Sequence, residues 1–472
     1  MDSQAILRAL RRQARDPRLL DEARGYALQY SAGLPAMRAV PDAQALRGLA
    51  SLPSELPVEP TDPSRVLQML HGSGSPATAA TTGGRYFGFV NGGCLPAAMA
   101  ARWLADTWDQ NAAMQVMSPV AAALEASCER WLADLLGLPE GTAAGFVGGT
   151  SVATLCGLAA GRDELLRRAG WDSGARGLFG APEIRVVLGE QAHASVSKAL
   201  SLLGLGRDRV ERVPVDAQGR IDPARMPRLD ARTLLILQAG NVNTGSFDPF
   251  EALIPVAREA GAWVHVDGAF GLWAAASPQL RHLTAGAAQA DSWSADAHKT
   301  LNAPYDNGIV FVRNREALTA AMRSTGAYFV FGHERDPMLY TPDMSRRARG
   351  VDLWAALLSL GKSGAAALVE GLCDMASLFG KLLAKEGFTV LNEVVFNQVL
   401  VACQTPGLTK ATLENVQASG ECWCGGTSWN DAPAMRISVC SFVTDEQDVE
   451  RSVRVFVAAR EKARRSGAGG AA

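Results

Sequence analysis

Four short apolar runs, spaced by helical stretches, restrict this chain to one broad class of architecture. They read IRVVLG (184–189), TLLILQAG (233–240), AWVHVDGAF (262–270) and GIVFVR (308–313). Each is rich in Val, Ile or Leu and bounded by turn residues, with segments such as DPFEALIPVAREAG between them. Strands apolar on both faces, alternating with helices, build a mostly parallel sheet covered on both sides. Ligands of such sheets sit beyond the carboxyl ends of the strands, so chemistry is expected just after these runs.

The remainder of the chain is organised around that sheet. Residues 3–30 have helical spacing (Ile6, Leu7 and Leu10, then Leu19, Leu20 and Ala23). Prolines at 35, 41, 53, 57, 60, 63 and 76 break the segment beyond them into an arm with short helices. After about residue 350 come a long helix (VDLWAALLSLGKSGAAALVEGL), two strands (VVFNQVLVAC and AMRISVCSF) and a last helix. The expected organisation is an N-terminal arm over 1–93, a large domain over 94–350 and a small α+β domain over 351–472.

Composition excludes several partners. The 46 basic and 48 acidic residues leave a formal charge of -2, which gives no reason to expect nucleic acid or an anionic membrane. No run approaches the ~20 apolar residues of a spanning helix, and the charged N-terminus lacks the apolar core of a secretory signal. Eight cysteines show no CxxC pair, and Cys422 and Cys424 have no second pair nearby, so no metal site is expected. A reduced, cytoplasmic setting is the default.

Four elements carry candidate chemistry. In GFVGGTSVATLCGLAAGRD (145–163), Gly148 and Gly149 precede Thr150, Ser151 and a helix, a turn able to hold phosphate or simply to cap the helix. His193 in GEQAHASVSKAL follows the first apolar run and could stack on a flat ligand, move protons or bond to backbone. Asp267 ends the apolar AWVHVD run, where a desolvated carboxylate is costly without a positive partner; Gly268 and Ala269 leave room for a ring. Lys299 lies in DSWSADAHKTLNAPYDNG, a small-residue loop where an amine can become a nucleophile. Singly, each has a bland reading. Together they supply the phosphate cradle, stacking imidazole, carboxylate and amine that pyridoxal 5'-phosphate (PLP) requires.

The chain resembles the group II amino-acid decarboxylases, fold-type I PLP enzymes that include aromatic-L-amino-acid and glutamate decarboxylases. The resemblance rests on GGTSVAT, HASVSKA, GNVNTGSFDPF, HVDGAFG, DAHKTLNAPYDNG, SRRARGVDLW, MRISV and SPVAAALE. It implies an aspartate aminotransferase-like α/β fold and a cytoplasmic homodimer with shared active sites, the N-terminal arm wrapping a partner. The implied reaction is α-decarboxylation of an L-amino acid, hydrophobic or aromatic by preference, through a Lys299 Schiff base, giving amine and CO2. Asp267 would pair with the pyridine nitrogen, His193 would stack on the ring opposite Ala269, and Thr150, Ser151 and His298 would hold the phosphate. Asn243, with Asn241 and Thr244 as rivals, would lie near the ring oxygen. Phe87, Phe89, Asn91 and Asn111 would line the substrate pocket, and Arg436 would meet the substrate carboxylate or a structural acid.

Three departures stand out. Thr300 replaces a frequent tryptophan after His-Lys. Asp296 replaces a frequent asparagine; an acid near phosphate is unfavourable unless it turns away or accepts a helix N–H. The tyrosine that protonates the carbanion in the family is displaced: Tyr340 is the candidate, with Tyr328 and His333 as rivals. Other PLP outcomes, namely aldehyde synthesis, aldol-type cleavage or transamination, are the alternatives. A nicotinamide oxidoreductase, suggested by LGLGRD (203–208), or a non-catalytic scaffold fits less well.

Overall fold

The computed structural model describes residues 3–323 and 335–467. Twelve strands are found among them: β1 (Tyr86–Phe87), β2 (Ala143–Val147), β3 (Arg185–Gly189), β4 (Val210–Val213), β5 (Thr233–Gln238), β6 (Trp263–Asp267), β7 (Ser292–Asp296), β8 (Gly308–Val312), β9 (Thr389–Val390), β10 (Gln398–Ala402), β11 (Trp423–Trp429) and β12 (Ala432–Ser438). Seven form one sheet in the order β2-β8-β7-β6-β5-β3-β4. Only β8 runs against its neighbours, so the other six point their carboxyl ends to one edge. The mostly parallel α/β sheet expected from the apolar runs is present, with both faces covered. Leu235, Val264, Val266 and Phe311 pack into one core, and Val186, Leu234, Ile236 and Val310 into another on the opposite face.

The smaller sheet, ordered β1-β11-β12-β10-β9, completes an α+β C-terminal unit. Its first strand comes from the N-terminal region: Tyr86 and Phe87 pair in parallel with Trp423 and Cys424. Arg85 reinforces the join, donating to the carbonyls of Met37 and Glu421 and pairing with Asp448 at 3.0 Å. A helix from Arg349 to Lys385, broken at Gly361 (φ 58°), packs on helices of the large unit and on the C-terminal helix Glu446–Arg465. Glycine meets the left-handed conformation of that break without side-chain strain.

Candidate active site

The carboxyl edge of the large sheet gathers the motifs. β7 ends at Asp296 and Lys299 lies three residues beyond; β6 ends at Asp267, opposite Ser294 of β7. His193 follows β3, and Gly148–Ser151 follow β2. β7 itself is polar yet fully buried, because its hydroxyls are satisfied. Ser292 bonds His265 Nδ1 at 2.8 Å and accepts from Trp263 Nε1 at 3.0 Å, while Ser294 bonds Thr154 at 3.0 Å. Burial pushes the His265 imidazole down to about 3, so it is a neutral structural group.

Asp267 is 4% exposed, accepts the Ala269 N–H at 3.2 Å and has no salt bridge among the described residues. Burial raises its pKa; His193 and Lys299 oppose the rise. Such a carboxylate calls for a cation at the sheet edge, as a protonated pyridine nitrogen would provide. His193 caps the helix Ala194–Leu202 by accepting the Ser195 N–H at 3.2 Å. The cap ties the ring to Ser195 while the residue stays exposed. Desolvation lowers its pKa against the pull of Asp267.

Thr150 opens the helix Thr150–Arg168, and its buried Oγ1 has no partner. Gly149 lies beneath His298 and Asp296: a Cβ there would meet His298 Cε1 at 3.3 Å and Asp296 Oδ1 at 3.5 Å. Ser151 is exposed beside Thr150. A free hydroxyl, a glycine turn and a helix start fit a phosphate group. Asp296 accepts the Thr150 N–H at 2.6 Å and pairs with Lys299 Nζ at 2.9 Å, so the acid does engage a helix N–H. His298 accepts the Asn307 N–H through Nδ1 at 3.1 Å and stacks on Tyr305 at 4.3 Å; burial lowers its pKa. Thr300 donates to the Phe270 carbonyl at 2.8 Å, a backbone tie in place of a bulky ring.

Asn241, Asn243 and Thr244 share one turn, in which Asn241 Oδ1 accepts the N–H groups of the other two. Asn243 Oδ1 accepts from Thr427, and Thr244 Oγ1 donates to the Gln218 carbonyl at 2.6 Å. Arg436 of β12 is half-buried, forms no salt bridge among the described residues, and its Nε lacks a partner; desolvation lowers its pKa. The structural ion pair considered for it is therefore not formed among these residues.

Two expected residues stand elsewhere in the single chain, and a third is engaged by its neighbours. Tyr340 is buried against β2, where its hydroxyl accepts from Arg315 at 2.8 Å and its ring meets the Arg335 guanidinium at 3.8 Å. Arg315 starts the helix after β8, which puts Tyr340 at the sheet edge opposite Lys299. Its rivals Tyr328 and His333 lie outside the described residues. Phe87 is 1% exposed and packs edge-on against Phe379 at 5.1 Å, inside the C-terminal core rather than in a pocket. Asn111 is engaged by Arg346 N–H and Ser345 Oγ.

Phe89 and Asn91 do flank the Lys299 loop. Phe89 is 60% exposed and stacks on Trp423 at 5.2 Å, and Trp423 stacks on Tyr86 at 5.2 Å. Asn91 accepts from the Tyr305 hydroxyl at 3.0 Å. Gly92 abuts the carbonyls of His298 and Lys299, where any Cβ would collide. Sequence reasoning passed over Trp423, Tyr305 and Asn302. Asn302 adopts φ 56° and binds Gly93, Phe442, Lys299, Thr300 and Cys440, joining the lysine loop to both neighbouring segments. The Pro-Tyr-Asp-Asn-Gly turn pointed to Tyr305; nothing in composition pointed to Trp423.

No group of three or more His, Cys, Asp or Glu able to hold a metal occurs among the described residues, nor any helix long and apolar enough to cross a membrane. The pyridoxal-dependent decarboxylase conserved domain matches residues 51–403. Tryptophan decarboxylase 1 of Oryza sativa subsp. japonica is 30% identical over 63% of this chain and 62% of its own length. The 4-hydroxyphenylacetaldehyde synthase of Rhodiola rosea is 26% identical over 72% of this chain and 73% of its own. The crystal structure of Oryza sativa TDC with PLP and tryptamine superposes with a TM-score of 0.86 at 23% identity, covering 94% of this chain and 97% of that one. With the candidate cofactor residues drawn to one sheet edge and three quarters of its length matched, the chain belongs to the pyridoxal-dependent decarboxylase family and is a PLP-dependent amino-acid decarboxylase.

Proposed function

We propose that the enzyme decarboxylates an aromatic L-amino acid. The observation that carries the substrate class is the stack of Tyr86, Trp423 and Phe89 beside the Lys299 loop, with Phe89 left largely exposed. An aromatic shelf open on one side favours a flat apolar side chain by offset stacking. Arg436 offers its unpaired guanidinium to the α-carboxylate, a charge-assisted contact. Bound PLP supplies the electron sink for the pair left behind by CO2.

The chain's own residues set up that sink. Asp267 would keep a proton on the pyridine nitrogen, and His193 would stack on the ring. Thr150, Ser151 and His298 bind the phosphate, and Asn243 serves the ring oxygen. Lys299 carries the amine that holds the cofactor and then moves a proton at the substrate carbon. The large domain over 94–350 and the small domain over 351–472 meet at this site.

A cytoplasmic homodimer with shared active sites belongs to the same reading. Leu7, Leu10, Leu20 and Leu28 of the arm (1–93), with Trp103, Leu104 and Trp108, leave apolar surface exposed in the single chain, as an interface requires. The test is a product assay over a panel of L-amino acids. Aromatic substrates should give CO2 and the matching amine in equal amounts. Preferred turnover of glutamate or another acidic substrate refutes the aromatic assignment. Aldehyde, ammonia and hydrogen peroxide, with oxygen consumed, assign the enzyme to the aldehyde-forming branch; Tyr340's position away from the site favours including that readout.

A further inference from the structure

We propose that Asp296 is an internal anion that occupies the phosphate cradle and competes with the cofactor for it. The inference rests on the PLP assignment and concerns a residue at which this chain departs from the family pattern. Asp296 ends β7 and is 2% exposed. Its backbone is fixed: the N–H donates to the Ala269 carbonyl at 2.9 Å, and the carbonyl accepts from Trp273 Nε1 at 2.9 Å. On that fixed backbone the carboxylate is held at the turn by the Thr150 N–H and the Lys299 amine.

One of its oxygens takes a bond that a phosphate would seek, and the other holds the amine assigned to the cofactor. Oδ1 accepts the Thr150 N–H at 2.6 Å and lies 3.6 Å from His298 Nε2, while Oδ2 pairs with Lys299 Nζ at 2.9 Å. Beside them the buried Thr150 Oγ1 is left without a partner, a donor at the same turn that Asp296 does not satisfy and an added anion would. Phosphate brought to this turn meets a fixed negative charge as well as the helix start. An asparagine at 296 keeps an oxygen for the Thr150 N–H and adds a donor for phosphate. The carboxylate thus lowers the protein's hold on its cofactor and makes the cofactor-free form self-sufficient in charge.

Cofactor-free wild-type, Asp296→Asn and Asp296→Glu proteins should be titrated with PLP, following the visible band of the lysine-bound cofactor. Inorganic phosphate should then be added as a competitor, its potency read separately from turnover. Asp296→Asn should bind PLP about tenfold or more tightly than wild type, and phosphate should inhibit its uptake at correspondingly lower concentration. Asp296→Glu, which keeps the charge, should show neither gain. Wild-type protein that takes up PLP, with Asp296→Asn no tighter for PLP or phosphate, overturns the inference and leaves the cofactor assignment standing. Equal tightening in Asp296→Glu also overturns it, because charge is then not the cause.

Discussion

Replacing Asn302 with alanine tests how Lys299 is held. Asn302 is fully buried, and its Oδ1 accepts the N–H groups of Gly93 and Phe442. Its Nδ2 shares its hydrogens among the carbonyls of Lys299 (3.2 Å), Thr300 (2.9 Å) and Cys440 (3.0 Å). Alanine leaves the buried Gly93 N–H unpaired, at about 1–3 kcal/mol, and strips a donor from carbonyls with the same order of loss. It also places a Cβ-bearing residue without a local hydrogen bond at φ 56°, at about 1–2 kcal/mol. The sum, roughly 3–8 kcal/mol, corresponds to an apparent Tm lower by roughly 3–8 °C in a chain of this size, at about 1 kcal/mol per degree. Scanning calorimetry of cofactor-free and PLP-loaded protein measures it, and the loaded form should also release PLP faster. Asn302→Gly separates the terms: it loses the same bonds without the left-handed strain, so it should recover about 1 kcal/mol over alanine. A Tm within about 2 °C of wild type for the alanine variant, or glycine no better than alanine, refutes this account of the knot.

Three further outcomes follow from the same geometry. Lys299→Ala should lose the visible band and all turnover; a variant that keeps both contradicts the assignment of the amine. Arg436→Gln should raise KM about tenfold to a hundredfold with the cofactor band unchanged, the loss expected for a charge-assisted contact, whereas an unchanged KM makes Arg436 a structural residue. His265 titrates near 6.5 when exposed and at about 3 when folded, so between those values the unfolded chain binds the extra proton. Its contribution to stability is present above about 6.5 and is lost as pH falls toward 3. His265→Gln should flatten the pH dependence of urea unfolding in that window; an unchanged slope shows the imidazole is not the acid-sensitive group.

The runs rich in Val, Ile and Leu were readable as strands because burial on both faces leaves a continuous apolar trace. β3, β5, β6 and β8 fall within the expected segments. β7 left no such trace. Ser292, Ser294 and Asp296 read as part of a small-residue loop, and become core only because His265, Trp263, Thr154 and the Thr150 N–H satisfy them across the sheet. β11 was hidden for another reason: WCGGTSW has two glycines and no β-branched run, and its pairing with Tyr86–Phe87 joins residues more than three hundred positions apart. Long-range partners of that kind cannot be inferred from local pattern.

The same distinction separates the candidate site residues that stand out in the sequence from those that do not. Lys299, Asp267, His193 and Thr150 were legible because each is chemically out of place after an apolar strand or a glycine turn, and the topology brings such positions to one edge. Tyr340 was chosen by residue type and distance along the chain, yet two arginines and Glu129 form a charged cluster at the other edge that holds its ring and hydroxyl. Trp423 is one of ten tryptophans, and only its stacking on Phe89 marks it. Asp296 falls between these cases. Its departure from asparagine was visible in the sequence, but the conflict it creates was not, since a carboxylate there could equally have turned to solvent. The Thr150 N–H and the Lys299 amine hold it at the turn instead. They turn a one-atom change of side chain into a competition for the helix start on which cofactor capture depends.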